Sequence, residues 1–162
     1  MRALDFNHLI KAPPGIIFVP FLSEHVRHLK IEQKDVTAFG PNGVEDMLAW
    51  QSKLGRAITV LLRGKPICIW GSVDMWSGVE EAWFVTEEFT RQYAVSMTKV
   101  AKLFISLRFQ EASLHRLQIT VRCDDKRAVR WAECLGFQTE GTMTGYGPDG
   151  SDFYIMSITK EK

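Results

Sequence analysis

Polar and apolar residues alternate between Leu117 and Val121. A period of two residues predicts a β-strand with one buried face. Farther along, apolar residues recur at intervals of three and four between Ala128 and Leu135, which is the spacing of an amphipathic helix. Gly136 follows at the place where a helix commonly ends in a left-handed residue. The sequence therefore predicts a strand, a turn and a short helix in direct succession.

Two aspartates stand in the predicted turn, Asp124 and Asp125. A short carboxylate side chain accepts hydrogen bonds from the N–H groups that have no partner in the first turn of a helix. The pattern does not distinguish the two aspartates, so both are candidates for the N-cap.

The longest helical pattern runs from Thr90 to Glu111. Its apolar stripe consists of Tyr93, Met97, Val100, Phe104 and Leu107. The helix connects a predicted strand at Val79–Thr86 to the strand at Leu117. A strand–helix–strand connection of this length normally makes the two strands parallel neighbours.

Further apolar runs predict the rest of a sheet. The predicted strands are Ile16–Phe21, Arg56–Arg63, Pro66–Val73, Gln138–Tyr146 and Asp152–Thr159. Turns are expected at Gly64–Lys65, Asp74–Gly78 and Gly147–Gly150, and two further helices after Ser23 and Asn42. We expect a single α+β domain over residues 16–162, with a mixed, mostly antiparallel sheet and helices on its faces. Residues 1–15 are expected to form a loosely held arm.

Composition narrows the class of protein. A length of 162 residues suits one domain, and a net charge of +1 argues against a protein-wide nucleic-acid surface. Cys68, Cys123 and Cys134 lack metal-ligand spacing and are expected to be reduced thiols of a cytoplasmic protein. His25 and His28 lack a third ligand, so no metal is expected. No apolar run approaches the roughly 20 residues that span a bilayer, so we expect no membrane partner.

The segment from His115 to Gly141 resembles the GNAT superfamily of acyl-CoA-dependent N-acyltransferases, and most closely its ribosomal-protein N-terminal acetyltransferase branch. That branch reads His-Arg-Leu, a strand, Asn-x-x-Ser-x-Arg-x-x-Glu-x-x-Gly-Phe, then Glu-Gly. The matching residues here are His115-Arg116-Leu117, Asp125 at the Asn position, Ala128 at the Ser position, Arg130, Glu133, Gly136-Phe137 and Glu140-Gly141. Short GNAT-like proteins of tailed phages look similar more faintly.

The resemblance implies acetyl-CoA as cofactor and a primary amine as acceptor. In the family, the strands before and after the long helix splay apart, and the backbone of the first pairs with the pantetheine arm. The pyrophosphate lies at the N-terminus of the helix, where free N–H groups favour an anion. The cofactor-binding residues implied here are Phe84, Val85, Thr86, Arg91, Gln92, Ala94, Val95, Ser96, Asp125 and Arg130.

The sequence departs from the family at two places. The pyrophosphate loop usually carries glycines, because the phosphates approach the backbone closely, but the segment from Thr90 to Ser96 contains none. Arg91 can offer a cation to phosphate, and it can equally be a solvated charge. Many members also place a Tyr at the position of Ala132, to protonate the departing thiolate. Tyr146 and Tyr154 are the candidate replacements.

The amine must lose a proton before it attacks, and a carboxylate can accept that proton. Glu80 and Glu81 lie on the strand that faces the acyl group in the family. They point to opposite faces of the sheet, and the sequence does not tell which face lines the site. We predict Glu81 as the base and Tyr146 as the acid. A backbone N–H near Phe84 or Val85 would hold the oxyanion.

Three functions stay open at this point. The first is an N-acetyltransferase that acts on a protein N-terminus, a lysine or a small molecule, with a homodimer left open. The second is a catalytically degenerate GNAT-fold module with a structural or protein-interaction role, which the missing glycines and Tyr would explain. The third is nucleic-acid binding, which rests only on the basic residues of the long helix. We rank the enzyme first and expect no nucleic-acid partner.

Overall fold

The computed structural model describes residues 12, 14–31, 43–87, 93–111 and 114–160, which form seven strands and four helices. The strands are β1 (Ile16–Pro20), β2 (Gly55–Leu62), β3 (Lys65–Trp76), β4 (Val79–Thr86), β5 (Arg116–Arg122), β6 (Gln138–Met143) and β7 (Phe153–Thr159). The helices are α1 (Glu24–Arg27), α2 (Gly43–Leu54), α3 (Ala94–Glu111) and α4 (Lys126–Leu135).

The strands form one mixed sheet in the order β1-β2-β3-β4-β5-β7-β6. Neighbouring strands are antiparallel except β4 and β5, which pair in parallel across the α3 connection. The predicted single-domain α+β fold with a mostly antiparallel sheet is therefore confirmed. Most of the predicted arm lies outside the described residues.

Helices cover both faces of the sheet. Ile69 on β3 and Val85 on β4 pack against α1 and α2, so we call this side the α1–α2 face. Their neighbours Trp70 and Phe84 point to the opposite side and pack against α3. The apolar side of α4 also packs there, so this side is the α3–α4 face. None of the described helices is both long and apolar enough to cross a membrane.

Three predicted boundaries were wrong, each for a local reason. The β2–β3 turn is centred on Arg63 and Gly64, which have φ angles of 49° and 83°. Positive φ at both central residues is the turn that fits the twist of a hairpin. Strand β3 continues to Trp76 through a bulge after Asp74, although the sequence there predicted a turn. Strand β6 ends at Met143, so Tyr146 lies in the β6–β7 loop and not on a strand.

Candidate functional site

A gap opens in the middle of the sheet, where β4 and β5 diverge. They pair only at Val79–Arg116, Glu80–Leu117 and Glu81–Gln118, the first residues of each strand. Beyond these pairs, β4 stays bonded to β3 as far as Thr86, and β5 stays bonded to β7 as far as Arg122. Among the described residues, no strand pairs with β4 on the β5 side from Ala82 to Val85.

Each strand is held by its outer neighbour beyond this point. On the α3–α4 face, Phe84 of β4 lies 4.9 Å from Trp131 of α4, measured between ring centroids. The indole Nε1 of Trp131 donates a hydrogen bond of 3.0 Å to Thr98 Oγ1 on α3. On this face β4 is therefore joined to α4 by the ring contact, and α4 to α3 by the hydrogen bond.

The segment that follows β4 leads to the N-terminus of α3. Ala94 and Val95 are exposed, Ser96 is half-buried, and the first turn of this described helix carries no acidic side chain. Backbone N–H groups in a first turn lack partners within the helix, and the helix dipole adds positive potential. This end of α3 therefore suits an anion. Arg91 and Gln92, predicted to bind the same anion, lie outside the described residues.

The side chains of the three predicted β4 residues point away from the gap or bond elsewhere. Phe84 packs on Trp131, and Val85 is 2% exposed in the core below α1 and α2. The Thr86 hydroxyl lies near the Ile67 and Glu87 carbonyl oxygens, at 3.4 and 3.1 Å. The backbone groups of this segment are therefore available to a ligand in the gap.

Glu80 lies on the α3–α4 face and is 3% exposed. Arg108 of α3 donates to both carboxylate oxygens, and the Ser72 hydroxyl lies 2.8 Å from Oε2. Burial raises the pKa of the Glu80 carboxyl, but the hydrogen bonds from Arg108 and Ser72 outweigh it and hold the pKa below its usual value. This carboxylate joins α3 to the sheet and is poorly placed to act as a base.

Glu81, the predicted base, lies on the α1–α2 face of the sheet. Tyr146, the predicted acid, lies on the same face. Gln118 Nε2 of β5 donates a hydrogen bond of 3.1 Å to Glu81 Oε2. Burial, and then the nearby Glu81 carboxylate, raise the pKa of the Tyr146 hydroxyl. The structure thus places the predicted base and the predicted acid on the same face, near enough for the Glu81 charge to act on the Tyr146 hydroxyl. Tyr154 packs against the core on the opposite face.

The loop that carries Tyr146 is held by Arg122 at the end of β5. Arg122 donates two hydrogen bonds to Asp124, at 3.1 and 3.0 Å, and one of 2.8 Å to Asp149 in the loop. The Arg122 guanidinium holds the pKa of both carboxyls below the usual range. Tyr146 rests edge-on against Phe153, with 5.4 Å between the ring centroids. The position of Tyr146 thus depends on contacts across two strands.

The remaining predicted residues lie on α4. Asp125 is the N-cap of this helix, and its Oδ1 accepts hydrogen bonds from the N–H groups of Arg127 and Ala128. Of the two aspartates in the turn, Asp125 therefore caps the helix and Asp124 pairs with Arg122. Arg130 is exposed, and Ala132 is 2% exposed in the core, so this chain places no hydroxyl at the family's Tyr position.

Four polar residues for which the sequence suggested no role in the site form a hydrogen-bonded row across β5, β7 and β6: Gln118, Arg116, Glu140 and Ser157. Gln118 joins this row to Glu81. Strand alternation predicts only that Arg116 and Gln118 share a face. Their contact with Glu140 depends on the register of β6 and β7, which the sequence does not reveal.

The hydrogen bonds of Glu140 in this row predict how the stability of the fold depends on pH. Hydrogen bonds from Arg116 and then Ser157 lower the pKa of Glu140 to about 2. A lowered pKa stabilises the fold above the ordinary glutamate pKa, and that contribution is lost as the pH falls towards 2. The Glu140 side chain is 40% exposed, so solvent screening limits the effect to about 0.5–1 kcal/mol. Urea unfolding should therefore show Glu140→Gln less stable than wild type at pH 7 and equal to it near pH 2. A difference that persisted at low pH would contradict this assignment.

Among the described residues, a second pocket and the candidate metal ligands are less suited to catalysis. A pocket of about 370 Å³ lined by Arg56, Trp76, Glu80 and Arg108 lies at the opposite end of β4 from the gap. In the part of the chain that the structure describes, no group of His, Cys, Asp and Glu side chains could hold a metal ion.

No protein-family model matches the sequence, and no curated protein sequence does. Solved structures do match. Ard1 from Thermoplasma volcanium has a TM-score of 0.75 and 16% identity, over 91% of this chain and 99% of that chain. The ribosomal-protein-S5-alanine acetyltransferase from Vibrio fischeri has a TM-score of 0.73 and 12% identity, over 93% and 96%. A GNAT-family acetyltransferase from Bacillus anthracis has a TM-score of 0.71 and 19% identity, over 94% and 99%.

These likenesses span almost the whole of both chains, whereas the identities are low. The architecture is therefore shared even where the side chains differ. The chain has the fold of the GNAT acetyltransferases.

Proposed function

We propose that this protein transfers an acetyl group from acetyl-CoA to a primary amine. The single observation that carries the proposal is the divergence of β4 and β5 after Glu81 and Gln118. It leaves the backbone of Ala82–Val85 facing a gap, and an extended ligand can pair with such an edge as an added strand does. The first turn of α3 carries no acidic side chain, so it suits the phosphates of acetyl-CoA.

Acetyl-CoA supplies the acyl group as a thioester, whose carbonyl carbon the amine nitrogen attacks. Glu81 accepts a proton from the amine, directly or through a water molecule. A backbone N–H of Phe84 or Val85 donates a hydrogen bond to the carbonyl oxygen as negative charge develops there. Tyr146 donates its hydroxyl proton to the sulfur as the carbon–sulfur bond breaks. A charged amine loses two protons in all: Glu81 accepts one, and the other passes to solvent. Glu81 then releases its proton to solvent and Tyr146 regains one, so the net reaction releases one proton.

Charge on the α1–α2 face supports an amine as acceptor. Glu81 is accompanied there by Glu140, Asp124 and Asp149, whereas the cations beside them are Arg116 and Arg122. The carboxylates outnumber the guanidinium groups, which favours the approach of a positively charged amine. A protein N-terminus, a lysine and a small-molecule amine all meet this condition.

A catalytically degenerate module is the second candidate. Two observations favour it: the segment from Thr90 to Ser96 has no glycine, and Ala132 is buried where the family commonly has a Tyr. Such a module would keep the fold and would neither bind acetyl-CoA nor turn it over.

Thermal unfolding with added acetyl-CoA, together with CoA release in the presence of a panel of amines, separates the two candidates. A ligand at 100 times its Kd should stabilise the fold by about 2.7 kcal/mol. Ala94→Asp should abolish that shift, because it places a carboxylate at the first residue of α3. Ser106→Asp, at an exposed position farther along the same helix, is the matched control and should keep it. No shift for wild type and no CoA release with any amine would favour the degenerate module.

A further inference from the structure

Gln118 lies between the proposed base and a fixed cation. It is 9% exposed, and both ends of its side-chain amide are bonded. Its Oε1 accepts a hydrogen bond of 3.0 Å from Arg116 Nε, and its Nε2 donates one of 3.1 Å to Glu81 Oε2.

The direction of this amide follows from chemistry. A guanidinium only donates hydrogen bonds, and an ionised carboxylate only accepts them. The opposite orientation would place the Gln118 NH₂ group against Arg116 and the carbonyl oxygen against Glu81, so both contacts would be lost. The oxygen of Gln118 must therefore face Arg116, and its NH₂ group must face Glu81.

Arg116 cannot easily turn away from Gln118. Its Nη1 and Nη2 atoms donate to the two oxygens of Glu140, at 2.8 and 2.5 Å. Ser157 Oγ lies 3.3 Å from Arg116 Nη1 and 2.7 Å from Glu140 Oε1. A bidentate pair of this kind fixes the plane of the guanidinium as well as its position. The Nε–H of Arg116 therefore points at Gln118 in a fixed direction.

One oxygen of Glu81 is held by this arrangement. Among the described residues no hydrogen bond to the other oxygen, Oε1, is formed. A base needs this combination, because its carboxylate must keep one orientation while one oxygen stays open to the proton that it accepts.

We propose that Gln118 is a positioning residue for Glu81, and that Arg116, held by Glu140 and Ser157, determines the orientation in which Gln118 acts. The inference rests on the proposed function, since it takes Glu81 as the base. In addition, the orientation of the Glu81 carboxylate is determined by a residue of β5. Glu81 and Gln118 form the last residue pair that joins the two strands before they diverge.

Kinetics of two variants test the positioning role. Gln118→Leu should lower kcat for amine acetylation by about 10–100-fold and leave the Kd of acetyl-CoA, measured by calorimetry, unchanged. Gln118→Glu keeps an acceptor for Arg116 but sets a carboxylate against Glu81, so the acidic limb of the kcat pH profile should move to higher pH. Gln110→Glu, the same exchange at an exposed position of α3, is the matched control and should leave the profile in place. Gln118→Leu with wild-type kcat would overturn the proposal.

A second measurement does not depend on activity. The side-chain NH₂ resonances of Gln118 in a ¹⁵N–¹H spectrum are assigned by their loss in Gln118→Leu, and they should shift in Glu81→Ala. Unshifted resonances would overturn the proposal even in an active enzyme. A wild-type protein that transfers no acetyl group would overturn the proposed function and the positioning role with it. A resonance shift in that inactive protein would show that the contact is only structural.

Discussion

Glu81→Gln is expected to lower kcat for acetyl transfer by about 10²–10⁴-fold, the usual contribution of a positioned general base. The substitution keeps the shape of the side chain and an oxygen that accepts the hydrogen bond from Gln118. It removes only the ability to take a proton from the amine. Initial rates of CoA release at saturating acetyl-CoA and amine measure the effect, and the Kd of acetyl-CoA should change little.

Glu133→Gln provides the matched control, because it makes the same exchange at an exposed position of α4. Its kcat should equal that of wild type. If Glu81→Gln also kept the wild-type rate, the base would have to be another group and the role given to Gln118 would lose its basis.

Arg108→Met is expected to destabilise the fold by about 3–5 kcal/mol, the usual consequence of removing one partner of a buried ion pair. The Arg108 side chain is 2% exposed and the Glu80 side chain 4% exposed. Without the Arg108 guanidinium, the Glu80 carboxylate would stay buried with the Ser72 hydroxyl at 2.8 Å and the half-exposed Arg56 guanidinium at 3.5 Å. Urea unfolding followed by circular dichroism measures the change in the free energy of unfolding.

Two further variants isolate the charge effect. Lys102→Met removes an exposed cation from the same helix and should stay within about 0.5 kcal/mol of wild type. The double variant Glu80→Leu/Arg108→Met removes both charges and should recover most of the lost stability, because a buried pair adds little beyond apolar residues of similar volume. A double variant as unstable as Arg108→Met would mean that packing, and not charge, dominates this contact.

Local patterns predicted the elements of the fold well. Alternation over Leu117–Val121 and the three- and four-residue spacing after Ala128 predicted β5 and α4, and the long stripe predicted α3. The α3 connection also predicted the parallel pairing of β4 with β5. These features follow from which residues share a face, and a sequence displays that information directly.

The environment of each face could not be predicted in the same way. Alternation separates Glu80 from Glu81 but does not say that α3 will cover one of them and bring Arg108 to it. The same holds for Asp124 and Asp125, since both are able to cap α4. Arg122 decides between them by binding Asp124, and it reaches the loop at Asp149 as well. The contact of Arg108 with Glu80 joins residues that are distant in the chain, and the contact of Arg122 with Asp124 joins near neighbours that share no helical or strand spacing signal.

The site was predicted only in its outline. The hairpin loop containing Tyr146 and the row from Arg116 to Glu140 depend on the register of β5, β7 and β6, where a bulge after Thr139 shifts the pairing. Trp131 was predicted as part of the apolar stripe of α4. In the structure it also packs on Phe84 of β4 and donates a hydrogen bond to Thr98.

We propose that acetyl-CoA occupies the gap between β4 and β5, with its phosphates at the start of α3. Hydrogen–deuterium exchange measured by mass spectrometry, with and without acetyl-CoA, tests this claim most directly. We expect slower amide exchange in peptides covering Ala82–Thr86 and Ala94–Met97, and unchanged exchange in Ile16–Pro20 at the far edge of the sheet. Unchanged exchange in the first two segments at millimolar acetyl-CoA would contradict it.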